Sequence, residues 1–158
     1  MAAFRPGPRL AVGIPGLARR DAHMGAPPPD PEARRGVLAD ALVEGGLPIA
    51  EITFRTPAAA AAITAIRDAN KRVLVGAGTL LNADDVKRAI DAGAQFGVAP
   101  GLNAEVVEGA LKLGFPFCPG VMTPSDIEKG LSLGLRMLKF FPAEPAGGIQ
   151  MLKSITLP

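Results

Sequence analysis

The sequence has no tryptophan and no tyrosine, and aromatic residues make up only 4% of its 158 positions. Few side chains are therefore available to stack on bases, which speaks against a single-strand nucleic-acid platform. The net charge of +2 is small, and basic residues do not cluster beyond doublets such as Arg19-Arg20 and Arg34-Arg35. No basic stripe of the kind a duplex binder needs is present. Cys118 is the only cysteine, so no disulfide framework and no thiolate metal cluster can form within the chain. A cytoplasmic protein is the expectation. No run is long and apolar enough to span a bilayer. An amino-terminal signal peptide is not expected, because Pro6, Pro8, Pro15 and Arg19-Arg20 interrupt the early apolar residues. The one histidine, His23, sits in a proline-rich stretch and reads as solvated.

Glycine and proline, by contrast, are abundant, at 19 and 16 residues. Residues 1–36 hold seven of the prolines and six arginines. RLAVGI (9–14) reads as a strand, and the segment from Pro15 to Asp30 as loop or disorder. From about Val37 the sequence becomes regular. β-like runs start at Ile49, Val73, Phe96, Phe115 and Met137, with spacings of 24, 23, 19 and 22 residues. Helical patterns fill the gaps. Val37, Leu38, Ala41 and Leu42 form an apolar stripe. Thr56-Pro57 predicts a helix start, as do Asn82 with Asp84-Asp85, Asn103, and Thr123-Pro124-Ser125-Asp126. Gly93, Gly114 and Gly134 mark helix ends, and a last helix is predicted from about Gly148 to Ile155. Apolar strands alternating with helices predict a parallel α/β protein, either doubly wound or a (β/α)8 barrel. A G-x-G-x-x-G fingerprint is absent after the first good strand, which weakens the dinucleotide-binding version.

Side chains alternate along a strand. In AEITFRT this groups Glu51, Thr53 and Arg55 against Ile52 and Phe54. Such a polar face suits either the interior of a barrel or an exposed edge strand, and alternation alone leaves both open. The same parity in MLKFFPAE groups Met137, Lys139 and Phe141. A barrel would then set Glu51, Arg55 and Lys139 around one cavity. An amine desolvated near another cation holds its proton less tightly. As a free base it attacks a carbonyl to form a Schiff base, with Glu51 moving protons and Arg55 gripping a carboxylate. That constellation points to a 2-keto acid. Thr79 in VGAGT offers a small donor and acceptor at the carboxyl end of its strand. Gly101 and Gly120 read as tight strand-to-helix turns, and Cys118 as a small buried apolar filler.

EITFRT, VGAGTLLN, GVAPGLN, FCPGVMTPSDIEKGLSLG and LKFFPAEPAGGIQMLK, in this order and spacing, resemble the 2-keto-3-deoxy-6-phosphogluconate / 4-hydroxy-2-oxoglutarate (KDPG/KHG) aldolases from about Val37 onward. The resemblance implies a TIM-type barrel, usually trimeric, needing neither metal nor organic cofactor and acting on a small 2-keto acid. It implies that Lys139 is the Schiff-base lysine and Glu51 the proton-shuttling carboxylate. Arg55 and Thr79 would bind the pyruvyl carboxylate, and Pro100 and Phe141 would line the pyruvate pocket. Against the family pattern the barrel is expected to be incomplete. The last two β/α units and their phosphate-binding loops are absent, and the first strand is atypical. The expected division is an atypical segment at 1–36 and a partial barrel at 37–158. The reading is a class I aldolase, a lyase, with no nucleic-acid or membrane partner. Its rivals are a non-catalytic fragment acting by self-association or docking, and a sugar-phosphate isomerase, which would not need an amine nucleophile.

Overall fold

The computed structural model describes residues 31–156. The strand expected at 9–14 and His23 lie outside the described residues. The chain alternates strictly through α1 (Pro31–Glu44), β1 (Ile49–Thr53), α2 (Ala59–Ala69), β2 (Leu74–Gly78), α3 (Ala83–Asp91), β3 (Phe96–Val98) and α4 (Ala104–Lys112). Then come β4 (Phe117–Cys118), β5 (Gly120–Val121), α5 (Pro124–Ser132), β6 (Lys139–Phe140) and α6 (Gly148–Thr156). Every strand pairing is parallel: β1-β2-β3-β4 form one sheet and β5-β6 a second.

β4 and β5 are one stretch of chain divided at Pro119. Before the proline, the Cys118 carbonyl accepts from the Ala99 N–H (3.3 Å). From the proline onward, the Pro119 and Val121 carbonyls accept from the N–H groups of Lys139 (3.0 Å) and Phe141 (3.1 Å). Proline has no N–H to donate to a ladder, so pairing passes from one neighbour to the other there. The two sheets are in effect one continuous parallel curve.

Helices α2, α3 and α4 cover a single side of that curve. Ile63 and Ile66 of α2, Val86 and Ala89 of α3, and Val107 and Ala110 of α4 join Val75, Ala77 and Phe117 in one apolar cluster. Ala50, Ile52 and Phe54 pack against the same cluster, as alternation along β1 predicts. No polar or charged residue is buried among the described residues.

Local signals set most helix boundaries. The Asn82 side chain accepts from the Asp85 N–H (2.8 Å), and the Asn103 side chain accepts from the Glu105 N–H (3.0 Å). Thr123 and Asp126 form a reciprocal capping box around Pro124. Hydrogen bonds to its carboxyl from the Thr123 N–H, the Met122 N–H and the Thr123 side chain hold Asp126 below the usual aspartate range.

Two helix expectations are corrected. Thr56 caps nothing. Residues 56–59 close a tight turn, Ala59 N–H to Thr56 C=O (3.2 Å), and α2 opens after Ala58 with no side-chain cap. Helix α1 does not bury the stripe Val37-Leu38-Ala41-Leu42: Val37 is 69% exposed, while Ala39 is fully buried and Val43 packs on the core. The reason is contact with α2. Gly36 faces the Ala69 methyl, and Asn70 donates to Asp40 (2.8 Å). Close approach of two helices selects the small residues Gly36 and Ala39, whatever the wider apolar pattern.

Candidate functional site

The side of the sheet away from the helices carries the ionic groups. Pairing runs Glu51 to Gly76, Gly76 to Phe96, Val98 to Cys118 and Gly120 to Lys139. Partners in a parallel ladder share a face and so do residues two apart. Glu51 and Lys139, four strands distant in the chain, therefore face the same side. β1 is also the edge of its sheet among the described residues, so the two readings of its polar face left open by the sequence coincide.

Glycines make the floor of this face. A Cβ at Gly78 would overlap the Glu51 carboxylate, and one at Gly76 would overlap the Phe96 ring. Glu51 thus lies down over β2 and points along the sheet. Lys139 is half-buried, with its ammonium 4.5 Å from the centroid of the Phe141 ring. That cation–π contact contributes about 0.5–1 kcal/mol at a solvent-accessible position. Phe141 itself is 39% exposed.

Cys118 ties the two charges together. Burial pushes its thiol pKa up, the Lys139 cation pulls it down and the Glu51 carboxylate pushes it up again. Both charged groups are therefore within electrostatic reach of one sulfur. Cys118 is not the core filler expected: it is half-buried on the inner face, outside the apolar cluster. The thiolate is the reactive species, so alkylation at neutral pH should be slow and should accelerate with rising pH. Lys139→Met, which removes the cation, should slow it further; Glu51→Gln, which removes the anion, should speed it. Iodoacetamide rates unchanged in both variants would break the claim that the three groups are neighbours.

Thr79 follows β2 at φ 61°. A β-branched residue in the left-handed region is an outlier, and such strain costs on the order of 1–3 kcal/mol. The backbone is pinned on both sides: Gly78 C=O accepts from the Phe54 N–H (2.8 Å), and the Leu80 N–H donates to Val98 C=O (3.2 Å). Strain of this kind clusters at ligand sites, where the neighbouring structure over-determines it. Pro100 is half-buried after β3 and lines a shallow depression of about 300 Å³ with Leu80 and Leu102. Its carbonyl would meet a Cβ at Gly120. Gly120 is accordingly no turn residue; it lies within β5, where the backbone of the preceding strand–helix loop passes against it.

Arg55 is placed differently from the others. β1 ends at Thr53, and Arg55 N–H closes back on Thr53 C=O (2.9 Å). Alternation stops there. Arg55 is exposed and lines a rim cleft with Phe54, Thr56, Pro57 and Arg88. Sequence reasoning missed Arg88 and the inner position of Cys118. Counting back by two from Gly120, the partner of Lys139, would have found the cysteine. Among the described residues, no three His, Cys, Asp or Glu side chains are grouped as metal ligands would be.

The family model described as KDPG and KHG aldolase matches residues 32–158. A 2-dehydro-3-deoxy-phosphogluconate aldolase of Haemophilus influenzae is 47% identical over 121 residues, covering 77% of this chain and 57% of that protein. A KHG/KDPG aldolase of Escherichia coli is 41% identical over 121 residues, with the same coverage. The chain thus spans somewhat more than half the length of these curated relatives. Among solved structures, the 2-keto-3-deoxy-6-phosphogluconate aldolase of Zymomonas mobilis ZM4 superposes with a TM-score of 0.74 at 43% identity, over 80% of this chain and 60% of that one. The KDPG aldolase of Legionella pneumophila, solved with pyruvate captured as a covalent carbinolamine intermediate, gives 0.73 at 38% identity, over 77% and 60%. The fold on which these relatives are built is the TIM-type barrel, and the parallel α/β curve described above is part of one.

Proposed function

The chain belongs to the KDPG and KHG aldolase family, and on that premise we propose that it is a class I aldolase working through Lys139. The substrate is a 2-keto acid bearing a hydroxyl two carbons beyond the keto group: 2-keto-3-deoxy-6-phosphogluconate, 4-hydroxy-2-oxoglutarate, or both. The amine adds to the keto carbon to give a carbinolamine, which loses water to a protonated imine. A base removes the proton of the C4 hydroxyl, the C3–C4 bond breaks, and its electron pair moves into the imine to leave an enamine. The aldehyde departs as glyceraldehyde 3-phosphate or glyoxylate. Protonation of the enamine at C3 and hydrolysis by water then release pyruvate and restore the amine.

The single observation that carries this reading is the shared face of Glu51 and Lys139, with both charges felt at Cys118. Glu51 is the group in place to carry protons through dehydration, cleavage and enamine protonation. We assign Arg55 and Thr79 to the keto-acid carboxylate, and Pro100 and Phe141 to the wall of the pyruvate pocket. The strained backbone at Thr79 and the Lys139–Phe141 contact support the assignments of Thr79 and Phe141. The chemistry needs no metal and no organic cofactor, because the imine itself accepts the electrons. We further propose a cytoplasmic homotrimer, consistent with the exposed Met137, Leu131 and Ile149. Sedimentation equilibrium should give three chain masses; a monomer at micromolar concentration would refute the trimer.

The test of the chemistry is reductive trapping. Pyruvate followed by borohydride should leave a stable secondary amine on the protein, which peptide mapping should assign to Lys139. Folded protein that yields no adduct would overturn the reading and leave a chain acting by self-association or docking.

A further inference from the structure

We propose that Phe96 aims Glu51, as a positioning residue for the proton transfers assigned to that carboxylate; the role rests on the aldolase reading. Glu51 pairs with Gly76, and Gly76 with Phe96, so the three stand in one row across the inner face. Two bare glycines lie within reach of the Glu51 side chain on that face: Gly76 directly opposite, and Gly78 two residues on. The Phe96 ring takes the first place. Its Cζ, Cε1 and Cε2 atoms occupy the space that a Cβ at Gly76 would need. The Glu51 side chain takes the second, with its Cγ 3.0 Å from the Cβ position at Gly78 and its carboxylate closer still.

Among the described residues Glu51 makes no hydrogen bond and no ion pair, so packing directs its carboxylate. A side chain without a bonded partner takes the rotamer that its neighbours leave open. With the place over Gly76 filled, the open direction runs along β2 toward Gly78 and Thr79, the carboxyl end at which barrel active sites form. Phe96 has no comparable duty in the core. It is half-buried, and it stands outside the apolar cluster that Phe115 and Phe117 join on the helix side. Its ring fills space on the inner face instead, beside a carboxylate. Shortening that side chain reopens the place over Gly76, and Glu51 gains a second resting position, farther from Thr79. A displacement of about 1 Å in a reacting group costs about 10²-fold in rate.

Two readouts on the whole chain test the aim. NMR reads the position. In the parent the Glu51 γ-protons should show Overhauser contacts to the Gly78 α-protons, and in Phe96→Ala to the Gly76 α-protons as well. Deuterium exchange reads the consequence. With pyruvate in heavy water, the Lys139 imine loses a C3 proton to the base, the electron pair of that bond stays in the enamine, and a deuteron from solvent returns to C3. The exchange rate, divided by the amount of adduct trapped with borohydride, should fall about 10- to 100-fold in Phe96→Ala. Trapping and melting temperature should stay near those of the parent, because the ring lies outside the apolar cluster. Phe96→Leu, which keeps bulk over Gly76, should retain most of the rate. Gly76 is not among the glycines at positive φ, so its backbone accepts alanine. Adding Gly76→Ala to Phe96→Ala returns a methyl to the vacated place and should recover the rate by about threefold or more, a gain that general destabilisation cannot produce. Overhauser contacts to Gly78 alone in Phe96→Ala overturn the inference. So does an unchanged exchange rate per adduct, or a double variant no faster than Phe96→Ala. A parent that traps no pyruvate defeats the aldolase reading, while the Overhauser contacts still decide whether Phe96 aims Glu51.

Discussion

Lys139→Met is expected to abolish the borohydride-trapped pyruvate adduct and to lower aldol cleavage by at least about 10³-fold, whereas Glu51→Gln should keep the adduct and lower cleavage by about 10²–10⁴-fold. The two variants separate because they remove different things. Methionine keeps the length and apolar packing of the lysine stem on β6 but has no nucleophile, so no covalent intermediate can form. Glutamine keeps the shape that lies over Gly78 but cannot take or give a proton. Imine formation then continues by way of water, slowly, and the reducible intermediate still accumulates. Neither substitution adds volume to the apolar cluster, so both variants should melt close to the parent. An adduct retained in Lys139→Met would move the nucleophile elsewhere. Cleavage unaffected in Glu51→Gln would remove the carboxylate from the mechanism.

Gly120→Ala should have the largest effect on stability, about 2 kcal/mol net and a melting temperature lower by roughly 5 °C. The new Cβ would run into the Pro100 carbonyl, and the Gly101 nitrogen stands 3.1 Å away. Both are backbone atoms, held between β3 and α4, and neither can rotate aside. Gly78→Ala is the informative contrast. There the obstacle is the end of the Glu51 side chain, which can swing away at small cost to folding and at the expense of proton transfer. Gly109→Ala in α4 meets nothing within 4 Å and should stabilise by about 0.5–1 kcal/mol through helix propensity. Equal melting temperatures for Gly120→Ala and Gly109→Ala would show that β5 does not pass against the Pro100 loop as described.

Strand-by-strand legibility follows from the period of the signal. The runs beginning at Ile49, Val73 and Phe96 became β1, β2 and β3 because each is short, apolar and bounded by turn residues. Asn82, Asn103 and Thr123 became caps because a side-chain acceptor one turn from free N–H groups is a local matter. The run at Phe115 is a partial success. It is a strand, but Pro119 divides it between two neighbours, and nothing within five residues says which neighbour comes next. Thr56 carries the sequence mark of a cap, but the turn at 56–59 delays α2 past it. The stripe at Val37 failed because a helix whose apolar residues are spread almost evenly around its axis does not choose its own face; its neighbour chooses it.

The sequence by itself determined the alternation of strands and helices, the caps at Asn82, Asn103 and Thr123, the family, and the parity that groups Glu51 with Thr53 and Lys139 with Phe141. All of these are encoded over a few residues, or in residue identities. Tertiary structure alone decided that Glu51 and Lys139 share one face with Cys118, because that depends on which residues pair across four strands distant in the chain, and a one-residue slip at any pairing would turn a side chain to the other face. It also decided that Arg55 leaves that parity. Alternation is a property of extended backbone, and the chain turns after Thr53, so Arg55 comes to rest beside Arg88, a residue 33 positions further along the sequence.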